Sequence, residues 1–218
     1  MKNHFENELN QLRQLLCKQG LVVESAIRQA IQAFQSGDTE IAACVIENDS
    51  IIDLEENRIE VECLKVLALY QPVARDLRTV VSFIKINSSL ERMADFACHM
   101  AERAMHVASL SLESYPEVFD FLPMENQVLE MLQKTLLVIE RADESLAGNV
   151  LLLDDSVDAM RREHRMHARS AIASCPAFAE YFIDCIGLAR DLERIADLSI
   201  DICQQIIYLQ TGRIVRHF

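Results

Sequence analysis

The feature that most constrains this chain is an internal repeat. The run Asp38-Thr-Glu-Ile-Ala-Ala-Cys-Val-Ile-Glu-Asn-Asp49-Ser-Ile-Ile-Asp53 lies over Asp143-Glu-Ser-Leu-Ala-Gly-Asn-Val-Leu-Leu-Leu-Asp154-Asp-Ser-Val-Asp158. Asp38, Asp49 and Asp53 thereby fall on Asp143, Asp154 and Asp158 without a gap. Further on, Leu90-Glu91-Arg92-Met93-Ala94-Asp95 falls on Leu192-Glu193-Arg194-Ile195-Ala196-Asp197. Order, spacing and residue type agree at two separate places, which implies two copies of one structural unit.

The unit reads as helical. Leu9, Leu12, Leu16, Val23, Ile27, Ala30, Ile31 and Phe34 recur at three- and four-residue steps, the signature of one apolar helix face. Gly37 then Asp38 reads as a stop followed by an N-cap. A second helix is expected from about Thr39 to Tyr70, with Ile41, Val45, Ile52, Ile59, Cys63 and Val66 inward. Gln71-Pro72 breaks it, Pro72 suiting the first turn of a third helix that runs from about Val73 toward Ser109. Residues 111–123 hold two prolines and clustered aromatics without periodicity, and read as a linker. A fourth helix is expected over about 125–141, a fifth over about 144–174, and a sixth from beyond Cys175-Pro176 to near Gly212, before a basic tail at 213–218. Only 5 Gly and 4 Pro occur in 218 residues, too few breakers for the turns of an all-β fold. The expected fold is all-α: two tandem, pseudo-symmetric three-helix bundles, residues 1–110 and 115–218.

The formal net charge of −13 disfavours a nucleic-acid binder, which needs clustered Lys and Arg for phosphates. It suits a solvated protein, a basic partner or bound cations. Seven cysteines without a C-x-x-C pair argue against a disulfide framework or a thiolate zinc site, and reduced thiols point to the cytoplasm. The N-terminus shows no apolar signal segment, and no stretch approaches the ~20 apolar residues that cross a bilayer. A P-loop, a glycine-rich dinucleotide pattern and a nucleophile motif are absent, so no enzyme is expected. A di-iron carboxylate centre is disfavoured too, since no histidine has Glu three residues before it.

The repeated acids carry the functional signal. Asp49/Asp53, Glu91/Asp95, Asp154/Asp158 and Glu193/Asp197 are carboxylate pairs at i, i+4, on one helix face each. Like charges at that spacing repel, and bound cations relieve the repulsion. His99 and Glu102 extend the stripe in the first half, and Asp201 in the second. Spacing alone leaves a solvated surface, or neutralisation by Arg92 and Arg194, equally open. His164 and His167, near Glu163 and other charges, read as a solvated face.

The same segments resemble the PhoU family of bacterial phosphate-signalling proteins. The resemblance runs nearly end to end. It includes His4-Phe5 with its Leu-rich helix, Gln71-Pro-Val-Ala-Arg-Asp76-Leu-Arg78, the paired Leu-Glu-Arg-x-x-Asp motifs, Ile207-Tyr-Leu-Gln-Thr-Gly212 and Val215-Arg-His217. It implies two three-helix bundles and metal ions, iron or zinc among them, held by E(D)-x-x-x-D motifs. Glu91 and Asp95 match the first motif, Glu193 and Asp197 the second, with Asp49/Asp53 and Asp154/Asp158 on the preceding helices. It further implies a non-enzymatic negative regulator of the phosphate-starvation response and of phosphate uptake. In that role it would link the ATPase subunit of the Pst phosphate transporter to a sensor histidine kinase, peripheral to the membrane and as a homodimer. The second copy departs from the family: Asp201 and Gln204 stand where Asn and Glu are usual, and Leu198 where His is common. His99 replaces a usual Asn in the first. An alternative is a protein whose metal load is itself the function. A plain helical scaffold with solvated acids is the third reading.

Overall fold

The structure, a computed structural model, describes residues 2–110, 116 and 119–214, all of them helix, turn or irregular segment, with no strand among them. The first half forms α1 (Lys2–Ser36), α2 (Thr39–Tyr70) and α3 (Ala74–Ser109). The second forms α4 (Leu122–Arg141), α5 (Glu144–Leu151), α6 (Asp154–Ser174) and α7 (Ala179–Thr211), with a short 3₁₀ turn at Pro176–Phe178.

The repeat reaches down to hydrogen bonds. Asp38 accepts from the backbone N–H groups of Glu40 (2.9 Å) and Ile41 (3.1 Å) to cap α2. Asp143 accepts from Ser145 and Leu146 at the same two distances to cap α5. Each cap satisfies donors that the first helical turn leaves unpaired. The residue before each cap is left-handed: Gly37 at φ 67° and Ala142 at φ 51°.

Two expectations need correction. The single helix over 144–174 is two helices, parted at Leu152 and Leu153. Asp154 and Asp155 sit in the first turn of α6, where the helix dipole favours negative charge. The Ser156 hydroxyl donates to the Leu153 carbonyl (2.7 Å). Asp154 therefore opens a helix, whereas its counterpart Asp49 lies well inside α2. Pro72 also lies outside α3, which begins at Ala74. Parts of the linker (111–115, 117 and 118) and of the tail (215–218) lie outside the described residues.

Helices α1, α2 and α3 pack mutually, α4 and α7 pack with α5 and α6, and the halves meet through α3 against α7 and α1 against α4. One apolar cluster runs through both halves, from Leu16, Ile27 and Phe83 to Met124, Leu132 and Ile195. Burial of this continuous face, more than intrinsic propensity, holds helices of this length in place. The docking is close. Leu136 lies where a side chain at Gly20 would go, and the Arg103 guanidinium lies where one at Gly187 would go.

Polar contacts then fix the register of the halves. Arg103 Nε donates to Asp191 Oδ2 (3.0 Å) and its Nη1 lies 3.5 Å from Asp184 Oδ1. The His106 ring nitrogen Nδ1 lies 2.6 Å from Asp184 Oδ2. Gln35 Nε2 donates to both oxygens of Glu125, at 2.9 and 2.7 Å. Glu125 is buried, and that burial pushes its carboxyl up to about 7 despite the Gln35 contact.

Candidate functional site

In the first half, α2 and α3 lie side by side and their acids face one another. Glu91 is half-buried on α3. Burial raises its carboxyl to about 7, and the charges of Asp95, Asp53, Glu56 and Asp49 push the same way. Asp95 is also raised, by burial first and then by Asp49 and Asp53, with His99 and Arg92 opposing. Glu56 is raised by burial and by Glu60 and Asp53. Carboxylates thus crowd one groove between two helices, and none of Asp49, Asp53, Glu56, Glu91 and Asp95 makes an ion pair among the described residues. Asp49 Oδ1 is buried with no hydrogen-bond partner. Such an atom forfeits hydration without return.

Reading by spacing missed Glu56 and Glu60, which continue the α2 ladder beyond Asp53. It also missed Cys98, whose thiol is pushed up to about 12 by burial and by the charge and hydrogen bonding of the Asp49 carboxylate beside it. His99 and Glu102 lie exposed farther along α3, His99 edge-on to Phe96 at 5.8 Å. No three His, Cys, Asp or Glu groups among the described residues already converge as a ligand set for an ion. The acids share a groove, with side chains still to be drawn inward.

The second half handles the same acids differently. Arg161 Nε lies 3.1 Å from Glu193 Oε1, an ion pair whose angle falls short of a hydrogen bond. Arg194 Nη1 donates to Asp197 (2.9 Å), and Arg162 Nη1 to Asp158 (3.2 Å). Glu193 is buried, and desolvation raises its carboxyl, with Arg161 pulling it back down. Continuing the repeat past Asp53 and Asp158 explains the difference: Glu56 falls on Arg161 and Glu60 on Arg165. The second groove carries its own cations where the first carries further acids. Asp154 opens α6 and Asp201 is exposed.

His164 is not part of a solvated face. It is buried, stacks on Phe121 (4.7 Å) and Phe119 (5.9 Å), and its two nitrogens lie within hydrogen-bond reach of the Met160 and Asp120 carbonyls. It pins the end of the linker to the second bundle. His167 stays exposed, 4.0 Å from Glu163.

Two tandem helical bundles, each with an acid-bearing groove between its second and third long helices, define a class of all-helical tandem-repeat protein. The PhoU domain model matches residues 16–104 and 121–206, one match per half. The chain belongs to the PhoU family. It is 35% identical over 211 residues to the phosphate-specific transport system accessory protein PhoU homolog of Aquifex aeolicus, covering 96% of this chain and 94% of that one. It is 29% identical over 217 residues to PhoU homolog 1 of Thermotoga maritima, covering 99% and 92%. The crystal structure of PhoU from Pseudomonas aeruginosa superposes with a TM-score of 0.90 at 31% identity, over 96% of this chain and all of that one. No helix among the described residues is long and apolar enough to cross a membrane.

Proposed function

We propose that this chain is an accessory regulator of phosphate-specific transport, acting by contact rather than by catalysis. It restrains phosphate uptake and the phosphate-starvation response as an adaptor between the transporter's ATPase subunit and a sensor histidine kinase. The observation that carries this reading is the end-to-end likeness, in both halves, to proteins named as accessories of the phosphate-specific transport system. The fold adds long helical faces on which partners could dock.

The reading includes a metal ion in the first half. Its donor set fits: hard carboxylate oxygens on facing helices, one of them buried and unpartnered, with no ion pair to these acids among the described residues. Asp49, Asp53, Glu91 and Asp95 would hold the ion, with Glu56, His99 and Glu102 beside them. Bound there, a divalent or iron-type cation supplies positive charge that ties α2 to α3. Carboxylate ligands leave the identity of the ion open to supply.

Deleting the gene should raise a phosphate-starvation reporter in phosphate-rich medium, and the intact gene should restore repression. Unchanged reporter output on deletion would sink the adaptor reading. The alternative, that metal load is itself the function, is favoured by the uncompensated acids. It requires that a Glu91→Gln/Asp95→Asn protein, free of metal by elemental analysis, loses the activity while keeping its partners.

A further inference from the structure

A net charge of −13 makes one groove of this molecule unusual. Between α6 and α7 lies a cavity of about 310 Å³ lined by Arg161, Arg165, Ile186, Ala189 and Arg190. Three guanidinium-bearing residues and no carboxylate form its wall. The corresponding positions of the first half include Glu56 and Glu60, so the charge of this stretch is inverted between copies.

We propose that this groove is a binding site for a small tetrahedral oxyanion such as inorganic phosphate. A guanidinium presents five N–H donors in a planar fork that matches an oxyanion, and only part of this supply is used internally. Arg161 engages Glu193 through Nε, which leaves its terminal nitrogens. Arg190 holds Asp191 with Nε and Nη2, at 3.3 and 3.1 Å. Asp191 is also satisfied by Arg103, so Arg190 is not needed to neutralise it. Arg165 makes no ion pair or hydrogen bond among the described residues. Three cations held along one wall repel each other, and an anion between them removes the cost. Ile186 and Ala189 give the groove an apolar floor, which lowers the local dielectric and strengthens charge–anion contacts. The wall lacks an aromatic ring on which a nucleobase would stack, and this favours the free ion over a nucleotide.

The test is equilibrium dialysis of the full chain against radiolabelled inorganic phosphate, with ionic strength held constant by chloride. The wild type should show single-site saturation, competed by sulfate. Arg165→Gln, which breaks no internal contact, should weaken binding, and Arg165→Gln/Arg190→Gln should weaken it about ten-fold or more. Arg28→Gln/Arg58→Gln removes the same charge elsewhere and should leave binding unchanged, with circular dichroism confirming the helices in every variant. Absence of saturable binding in the wild type overturns the proposal. So does full retention in the groove double variant, or equal loss in the two double variants.

Discussion

The two grooves start from the same acids and balance their charge differently. In the first, Glu91 sits among Asp95, Asp53, Glu56 and Asp49 and is pushed up to about 7. In the second, Glu193 is more deeply buried and is raised by that burial, but Arg161 and Arg194 draw it back down by favouring the ionised carboxylate. Caps and helix pairing are shared, so apart from the break at Leu152 and Leu153 the difference arises from a few side chains on one face of α2 and α6. Shared architecture therefore does not imply a shared charge balance: the second groove carries cations paired with its acids, and on the metal reading proposed above the first is the groove that would take an ion.

The largest effect should come from removing the internal cation. Arg161→Met leaves Glu193 buried with only the 3.9 Å contact to Arg194, and should cost about 3 kcal/mol at pH 8 in chelator, read by urea denaturation. The counterpart change, Glu56→Met, should stabilise the chelated protein; a loss in both would erase the contrast.

Metal addition sharpens it next. At a free Mn²⁺ or Zn²⁺ concentration about a hundred-fold above the dissociation constant, the wild type should gain about 2.7 kcal/mol. Asp49→Asn/Glu91→Gln should abolish the gain, and Asp154→Asn/Glu193→Gln should leave it intact. Equal losses in the two variants would place ions in both halves.

Proton uptake is the third probe. A carboxyl raised in the folded state binds protons more tightly folded than unfolded. Its contribution is fully present below the ordinary value near 4.5 and is lost as pH rises through about 7. The chelated wild type should thus weaken between pH 5 and pH 8. Glu91→Gln should flatten part of that slope, and Glu125→Gln, at the junction of the halves, should add about 1–2 kcal/mol at pH 8 and almost nothing at pH 5. A wild-type profile flat from pH 5 to 8 would remove this argument.

The smallest effect concerns backbone. Ala142 adopts the left-handed conformation that Gly37 adopts in the first half. Ala142→Gly should raise the midpoint of thermal unfolding, by about 1 kcal/mol in stability. No rise would mean that the left-handed turn is already relieved by its surroundings.

Much of this was legible before the structure. Apolar periodicity located α1 and α2, the break at Gln71-Pro72 set off α3, and the N-cap role of Asp38 follows from Gly37-Asp38 alone. The repeat placed Asp49/Asp53 and Glu91/Asp95 on adjacent helices. The break at Leu152–Leu153 was hidden because an ungapped alignment treats both copies as equally continuous. The Glu56/Arg161 inversion lay three residues beyond the aligned acids, and a longer alignment would have exposed it. Burial of His164 depended on Phe119 and Phe121 folding back from the linker, a tertiary contact that local charge density concealed. The cross-half contacts of Arg103 had no local signal, because they exist only once α3 meets α7.

That last contact has an evolutionary consequence. A duplicated bundle begins as two copies that can pair in either combination. Here Gly187 makes room for Arg103, and Asp184 and Asp191 receive its charge. In the first copy the same three positions are Lys85, Ser82 and Ser89. If two first halves docked in this register, a guanidinium would meet an ammonium with no carboxylate between them. The polypeptide has become a heterodimer in one chain, its halves keyed to each other and no longer exchangeable.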